Sequence, residues 1–256
     1  MYTSVEYERA RAYARERMEA EGVAISGIMT ILEECASVIV SLMSMGASQD
    51  EIDDAIDSLV DSILDWIDTM AVNGREDGDG LLLWLHDDWN DGALEDVTRK
   101  RADTFLDEVM TVCAVGFIMG KSVTDILNSI TDNMREPWNN SILQEAKEKE
   151  ESGEISLPDD IDIEERQYGK GIPVSSLVGL ESLTQSAVAD YWTMWRHNDY
   201  MKGGAKGYFV ERGSSYPCDE CQSHVGVFWP IDDTEHLPQY HPHCRCFVVY
   251  SFVDRL

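Results

Sequence analysis

Four of the six cysteines fall in the last forty residues, in a spacing that strongly limits how this end of the chain can fold. Cys218-x2-Cys221 is followed, 19 residues later, by His241-Pro242-His243-Cys244-Arg245-Cys246. A CxxC on a turn presents two thiolates to one ion, and a second turn bearing His and Cys completes a tetrahedron. Zinc suits thiolate and imidazole donors, whereas magnesium and calcium take oxygen. Five donors, Cys218, Cys221, His241, Cys244 and Cys246, compete for about four positions. The favoured set is Cys218, Cys221, His241 and Cys244, with Cys246 in reserve; His243, His224 and His236 are less well placed. The same pattern also admits a pair of disulfides, or reduced thiols without metal. Cys35 and Cys113 lie far upstream on apolar helical faces and read as buried thiols.

Enzymatic uses of the cluster meet specific obstacles. Pro217-Cys218-x-x-Cys221 is half of the zinc-deaminase signature, but the chain has no His-x-Glu to complete it. A zinc-finger nuclease needs a catalytic His and Asn after a strand, together with basic residues for its substrate. A hydrolytic zinc keeps an open position and a general base, while a surplus of donors reads as a closed, structural site. There is no Walker A, GxGxxG or GxSxG motif. The loops at Gly74–Gly80 and Asp87–Gly92 fail the register of a calcium loop.

Upstream, the periodicity is helical. Residues 4–22 read as an exposed helix rich in Arg and Glu, and Ile25–Met45 is an apolar-periodic stretch that stops at Gly46. Ser48-x-x-Glu51 is a capping box for a second helix carrying Ile52, Ile56, Leu59, Val60, Ile63 and Ile67. Another long helix runs from about Gly92 to Met119, and Gly120 and the box Ser122-x-x-Asp125 repeat the corner. The two hairpins match at an offset of 74 residues, Leu32-Glu33-Glu34 against Leu106-Asp107-Glu108 and Met45-Gly46-x-Ser48 against Met119-Gly120-x-Ser122. The match reads as a duplicated hairpin, although any helix–Gly–cap–helix corner shares much of it. A helix over about Val174–Met201 ends at Gly203-Gly204, and strands follow at Gly207–Arg212, Val225–Trp229 and Phe247–Val253. The expected architecture is therefore mainly α: a helical bundle of two similar hairpins over 1–140, a charged linker or arm over 141–173, and a helix plus small zinc-binding β module over 174–256. The module is α+β, with a short antiparallel sheet and the Cys/His zinc site.

Charge narrows the partners. Of 256 residues, 49 are Asp or Glu and 20 are Lys or Arg, a formal charge of −29. Residues 201–256 carry five basic and seven acidic side chains, so −27 resides in 1–200. Nucleic-acid binding depends on Lys and Arg neutralising phosphates, so no direct nucleic-acid contact is expected. High acidity with little Lys suits salty surroundings or packing among other acidic copies. The apolar runs Cys35–Met45 and Val112–Met119 fall short of the roughly 20 residues that span a bilayer, and the charged start lacks the apolar core of a secretory signal. No membrane partner is expected.

Gly204–Tyr250, ending in His241-Pro242-His243-Cys244-Arg245-Cys246, resembles the C-terminal module of the tailed-phage minor head proteins, the Mu F-like head morphogenesis family. That module closes on His-Pro-x-Cys-Arg-Cys, and Cys218-x-x-Cys221 matches the subset with paired cysteines. With the preceding helix the resemblance covers about 80 residues. One departure stands in that helix, where Leu183-Thr184-Gln185 occupies the neighbourhood of the family's Arg-Thr-Glu. The resemblance implies a virion protein without catalysis, present in several copies inside the head or at the portal vertex. It would contact portal or head proteins, act in head assembly or DNA delivery, and be made in the host cytoplasm. The alternative reading is a cytosolic zinc-ribbon adaptor that presents helices to a partner protein. If the acidity is a solubility or salt adaptation, the free chain should unfold at higher temperature in molar salt, where repulsion between carboxylates is screened. Fluorescence anisotropy should detect no binding to duplex DNA at moderate salt, and tight salt-sensitive binding would refute this reading.

Overall fold

A computed structural model describes residues 2–75, 80–89, 93–158, 161, 174–241 and 243–253. The fold is mainly helical with one small sheet. Its helices are α1 (Ser4–Met45), α2 (Gln49–Val72), α3 (Leu81–Asp87), α4 (Leu94–Ile118), α5 (Val123–Asp132), α6 (Ser141–Glu151) and α7 (Ser176–Lys202). Strand β1 (Gly207–Glu211), the short helix α8 (Asp219–Gln222), β2 (Phe228–Pro230) and β3 (Phe247–Ser251) follow. Composition divides the chain near residues 140 and 173; contacts divide it otherwise. One compact unit gathers Met1–Ile25, Trp66–Leu94 and Ser182–Leu256, and the other gathers Ser26–Asp65 and Glu95–Glu181. Of the expected linker, the first part is α6, whose Ile142, Leu143 and Ala146 are buried, while 159–160 and 162–173 lie outside the described residues.

The second unit contains both helical corners, and the chain builds them alike. Gly46 and Gly120 adopt φ of 72° and 70°, the left-handed region. Gly46 N–H donates to Met43 O and Ala47 N–H to Leu42 O; Gly120 N–H donates to Phe117 O and Lys121 N–H to Gly116 O. This is the Schellman closure of a helix end, which satisfies carbonyls left over by the last turn. The next helix is capped reciprocally in each case. Glu51 N–H donates to Ser48 Oγ and Ser48 N–H to Glu51 Oε2, and Asp125 and Ser122 do the same. The expected boundaries hold to within two residues, with α4 starting at Leu94 rather than Gly92. Cys35 and Cys113 are buried as expected, and burial pushes their thiols up to about 11 and about 12.

In the first unit β1 is the central strand, in the order β2-β1-β3, with both pairings antiparallel. A side chain on Gly207 would meet the Phe228 ring and the Trp229 carbonyl at 2.3 Å, so the strand can begin here only with glycine. The expected strand at Val225–Trp229 is shorter and later; Val225 makes only an isolated bridge to Val210. From α7, His197 donates from Nε2 to Ile231 O at 2.8 Å, and its ring packs edge-on against Tyr208. The start of α1 is not the exposed helix its Arg and Glu content implies. Ala10, Ala14, Arg17, Glu21 and Ala24 are all buried at alternating spacings of four and three, and Ala10 and Ala14 form a cluster with Phe247 and Val249.

Among the described residues α1 is the one helix long and apolar enough to cross a membrane by length and composition, and about one third of that stretch is buried within the protein. Glu33 and Glu34 stand exposed inside it. A charge near a span's centre costs roughly 2.5–3.5 kcal/mol, so the pattern fits a face that packs on protein better than one that packs on lipid. At the corners, an added Cβ on Gly46 or Gly120 meets nothing within 4 Å, which leaves backbone strain as the whole cost. Gly46→Ala and Gly120→Ala should therefore each lose about 1–2 kcal/mol in urea unfolding, and equally, with no change of fold by circular dichroism.

Candidate metal centre

Two loops that leave the sheet bring the donors together. The first follows β1. Arg212 turns back, donating to Tyr216 O at 3.0 Å, Cys218 O at 3.2 Å and Gln222 Oε1 at 2.8 Å. This fixes the approach to Cys218, which caps the N-terminus of α8 and accepts the Cys221 N–H at Sγ, 3.4 Å away. The second loop joins β2 to β3. Cys244 N–H donates to His241 O at 3.1 Å, and the turn between them carries His243 at φ 63°. Gly213 lets the loops meet, because a Cβ there would lie 1.8 Å from Arg245 O.

The five expected donors converge as two triads that share Cys221: Cys218, Cys221 and His241, and Cys221, Cys244 and Cys246. His241 Nε2 lies 3.1 Å from both Cys218 Sγ and Cys221 Sγ, and Cys221 Sγ lies 3.9 Å from Cys244 Sγ. Edges of a tetrahedral site with bonds of about 2.3 Å to sulfur and 2.0 Å to nitrogen are near 3.8 and 3.5 Å. The donor set therefore can hold a metal ion after small side-chain adjustments. All six cysteines are free, so the disulfide alternative is not what the fold contains. Pro242 of the signature lies outside the described residues.

The thiols are electrostatically unlike one another. Cys244 is drawn down to about 5, first by the hydrogen bond it receives from the Cys246 thiol and then, against burial, by the N–H groups of Cys246 and Tyr240. Cys218 is lowered mainly by the Cys221 N–H. Burial, foremost, pushes Cys221 up to about 12, while Cys246 is raised first by the bond it donates to Cys244 and then by burial. Two thiols are lowered and two raised within one space, and a cation placed there would displace their protons.

The other histidines are otherwise engaged. His243 Nδ1 donates to Gln185 Oε1, His224 stacks on Tyr240 at 4.0 Å, and His236 stacks on Trp229 at 3.6 Å while its Nδ1 meets Asp233. The centre is less closed than a surplus of donors implies. Cys218, Cys221, His241 and Cys246 face a cavity of about 250 Å³ whose lining includes Arg212 and Arg245. Sequence reasoning missed the groups behind the second loop. Arg17 Nη2 donates to Cys246 O at 3.3 Å, and Glu21 and Gln185 lie beside it. The available signal was the Arg17/Glu21 pair at i,i+4, one of many such pairs on a charged helix.

No family model, curated protein or solved structure matches this chain. The centre itself makes a definite prediction. In cobalt(II) titrations Cys221→Ser, which removes the donor common to both triads, should weaken binding by roughly 100-fold or more. Cys246→Ser should weaken it by about tenfold or less if four donors suffice.

Proposed function

We propose that the chain is a structural minor head protein of a tailed phage, that the Cys/His centre is a structural zinc site, and that the helical parts dock on portal or neighbouring head proteins. The observation that carries the reading is the convergence of Cys218, Cys221, His241, Cys244 and Cys246, because it gives a physical reason for the His-Pro-x-Cys-Arg-Cys ending and the upstream CxxC to occur together. Zinc fits a sulfur and imidazole set, has no geometric preference of its own and needs no redox partner. The ion would tie the two loops together beside the buried cluster of the sheet, which includes Cys221, Cys244 and Cys246. Rigidity of that kind suits an anchor within a particle. Val38, Met45, Val97, Ile118 and Val123 leave apolar surface exposed on the helices of the second unit, which supports docking there. The acidic helical portion would keep the protein off packaged DNA.

Elemental analysis of chain purified without added metal should give near one zinc per chain, and a value near zero would remove the metal. Structural zinc in comparable peptides supplies about 10–16 kcal/mol, so Cys218→Ser with Cys221→Ser should unfold the sheet module and reduce incorporation into heads several-fold. Mass spectrometry of purified particles should find the chain with portal and head proteins. Normal content and infectivity in the double variant would show the module to be dispensable. A chain confined to host cytosol would favour the adaptor reading.

A further inference from the structure

The strongest unassigned feature lies behind the donor loop. Arg17, Glu21 and Gln185 are polar, come from two helices, and are only 2%, 1% and 2% exposed. Burial at this level is costly unless every charge and hydrogen-bonding group is answered. Here the partners come both from α1 and α7 and from the loop that carries three of the five donors, and Arg17 Nε and Glu21 Oε1 meet as an ion pair without a hydrogen bond. Arg17 Nη2 donates to Cys246 O at 3.3 Å, Nη1 donates to Thr193 Oγ1 at 3.3 Å, and Nε lies 3.0 Å from Glu21 Oε1. Glu21 Oε2 accepts from Gln185 Nε2 at 2.8 Å and faces Arg245 Nη1 at 3.6 Å. Gln185 Oε1 in turn accepts from His243. His243, Arg245 and the Cys246 carbonyl are thus held by α1 and α7, on the same loop that carries His241, Cys244 and Cys246.

We propose that Arg17, Glu21 and Gln185 are positioning residues of the metal centre, and that metal occupancy and docking of the first turns of α1 are one coupled equilibrium. The proposal rests on the metal reading given above. An ion fixes the backbone of residues 241–246 through its side chains; the fixed backbone supplies the Cys246 carbonyl, Arg245 and His243 that make burial of Arg17, Glu21 and Gln185 tolerable. By linkage the effect is reciprocal: α1 in place raises metal affinity as much as metal raises the occupancy of the docked helix. Groups behind the ligands of metal sites commonly change affinity by about 10–100-fold.

The test uses the full chain. Hydrogen exchange of residues 10–24 and 182–196 is compared with zinc bound and after chelation. Exchange over 10–24 should speed by at least about tenfold on chelation, the lower end of the range for such groups. Zinc affinity, measured by competition with a chromogenic chelator, should fall about 10–100-fold in Arg17→Met and Glu21→Gln, with Arg17→Lys partly restored. A merely destabilising change would leave the cobalt(II) absorption bands in place, so those bands should shift in Arg17→Met and remain unchanged in Gly120→Ala. If Arg17→Met does not fold, the wild-type exchange comparison decides alone. Zinc bound with unchanged exchange over 10–24, or with unchanged affinity and cobalt bands in folded Arg17 and Glu21 variants, would overturn the coupling and leave the metal standing. Failure of the wild-type chain to bind zinc would remove both.

Discussion

A buried guanidinium sets the terms for the sheet-bearing unit. Arg17 reaches from the first helix to the carbonyl of Cys246, the residue before β3, and it does so almost entirely out of water. Its Nη1 and Nη2 donate to Thr193 and Cys246 and its Nε faces Glu21, so α1, α7 and the loop ahead of β3 meet around one buried charge. Ala10 and Ala14 give β3 a shallow apolar seat, occupied by Phe247 and Val249. Arg17 Nη2 donates to the Cys246 carbonyl in the register observed, and sliding the strand would take that acceptor from a buried guanidinium.

That constraint also explains what the sequence disclosed and what it hid. The donor set was legible because its spacing is local: CxxC is a turn, and the His-x-x-Cys-x-Cys run is another. The Schellman corners at Gly46 and Gly120 were legible for the same reason, since glycine followed two residues later by a capping serine leaves few alternatives. The buried stripe of α1 was hidden because two of its positions are Arg17 and Glu21, so a hydropathy pattern sees an exposed face where the fold has an interior. Gln185 was visible only as a departure from the Arg-Thr-Glu pattern; the fold gives it partners in His243 and Glu21. Composition could not show that Met1–Ile25 belongs with Ser182–Leu256, because that association is made by long-range burial and leaves no local mark.

The unit that holds the corners follows a simpler logic. Its interior is drawn from Ile28, Leu32, Ile39, Ile56, Leu59 and Ile63 of the first hairpin and Phe105, Val109, Val112, Ile126 and Ile130 of the second. These are helical periodicities of ordinary apolar residues, with both chain reversals closed by backbone and capping hydrogen bonds. Polar surface is then free to carry the acidic charge, and side chains such as Asp57 and Arg99 pair across it at 2.7 Å with little consequence for stability.

The pairing of β1 with β3 has a kinetic implication. The strands align from Gly207 with Ser251 to Glu211 with Phe247, so residues 212–246 loop out between the last paired positions. Within that excursion β2 pairs with β1, and closing the remaining chain from β2 to β3 still costs loop entropy. The candidate donors sit near its two ends, Cys218 and Cys221 after β1 and His241, Cys244 and Cys246 before β3. An ion captured by both groups would shorten the search as a disulfide does, by cross-linking the unfolded chain, and acid or a chelator could undo it. The availability of metal would then bear on how long the edge of β1 that receives β3 stays open to other chains.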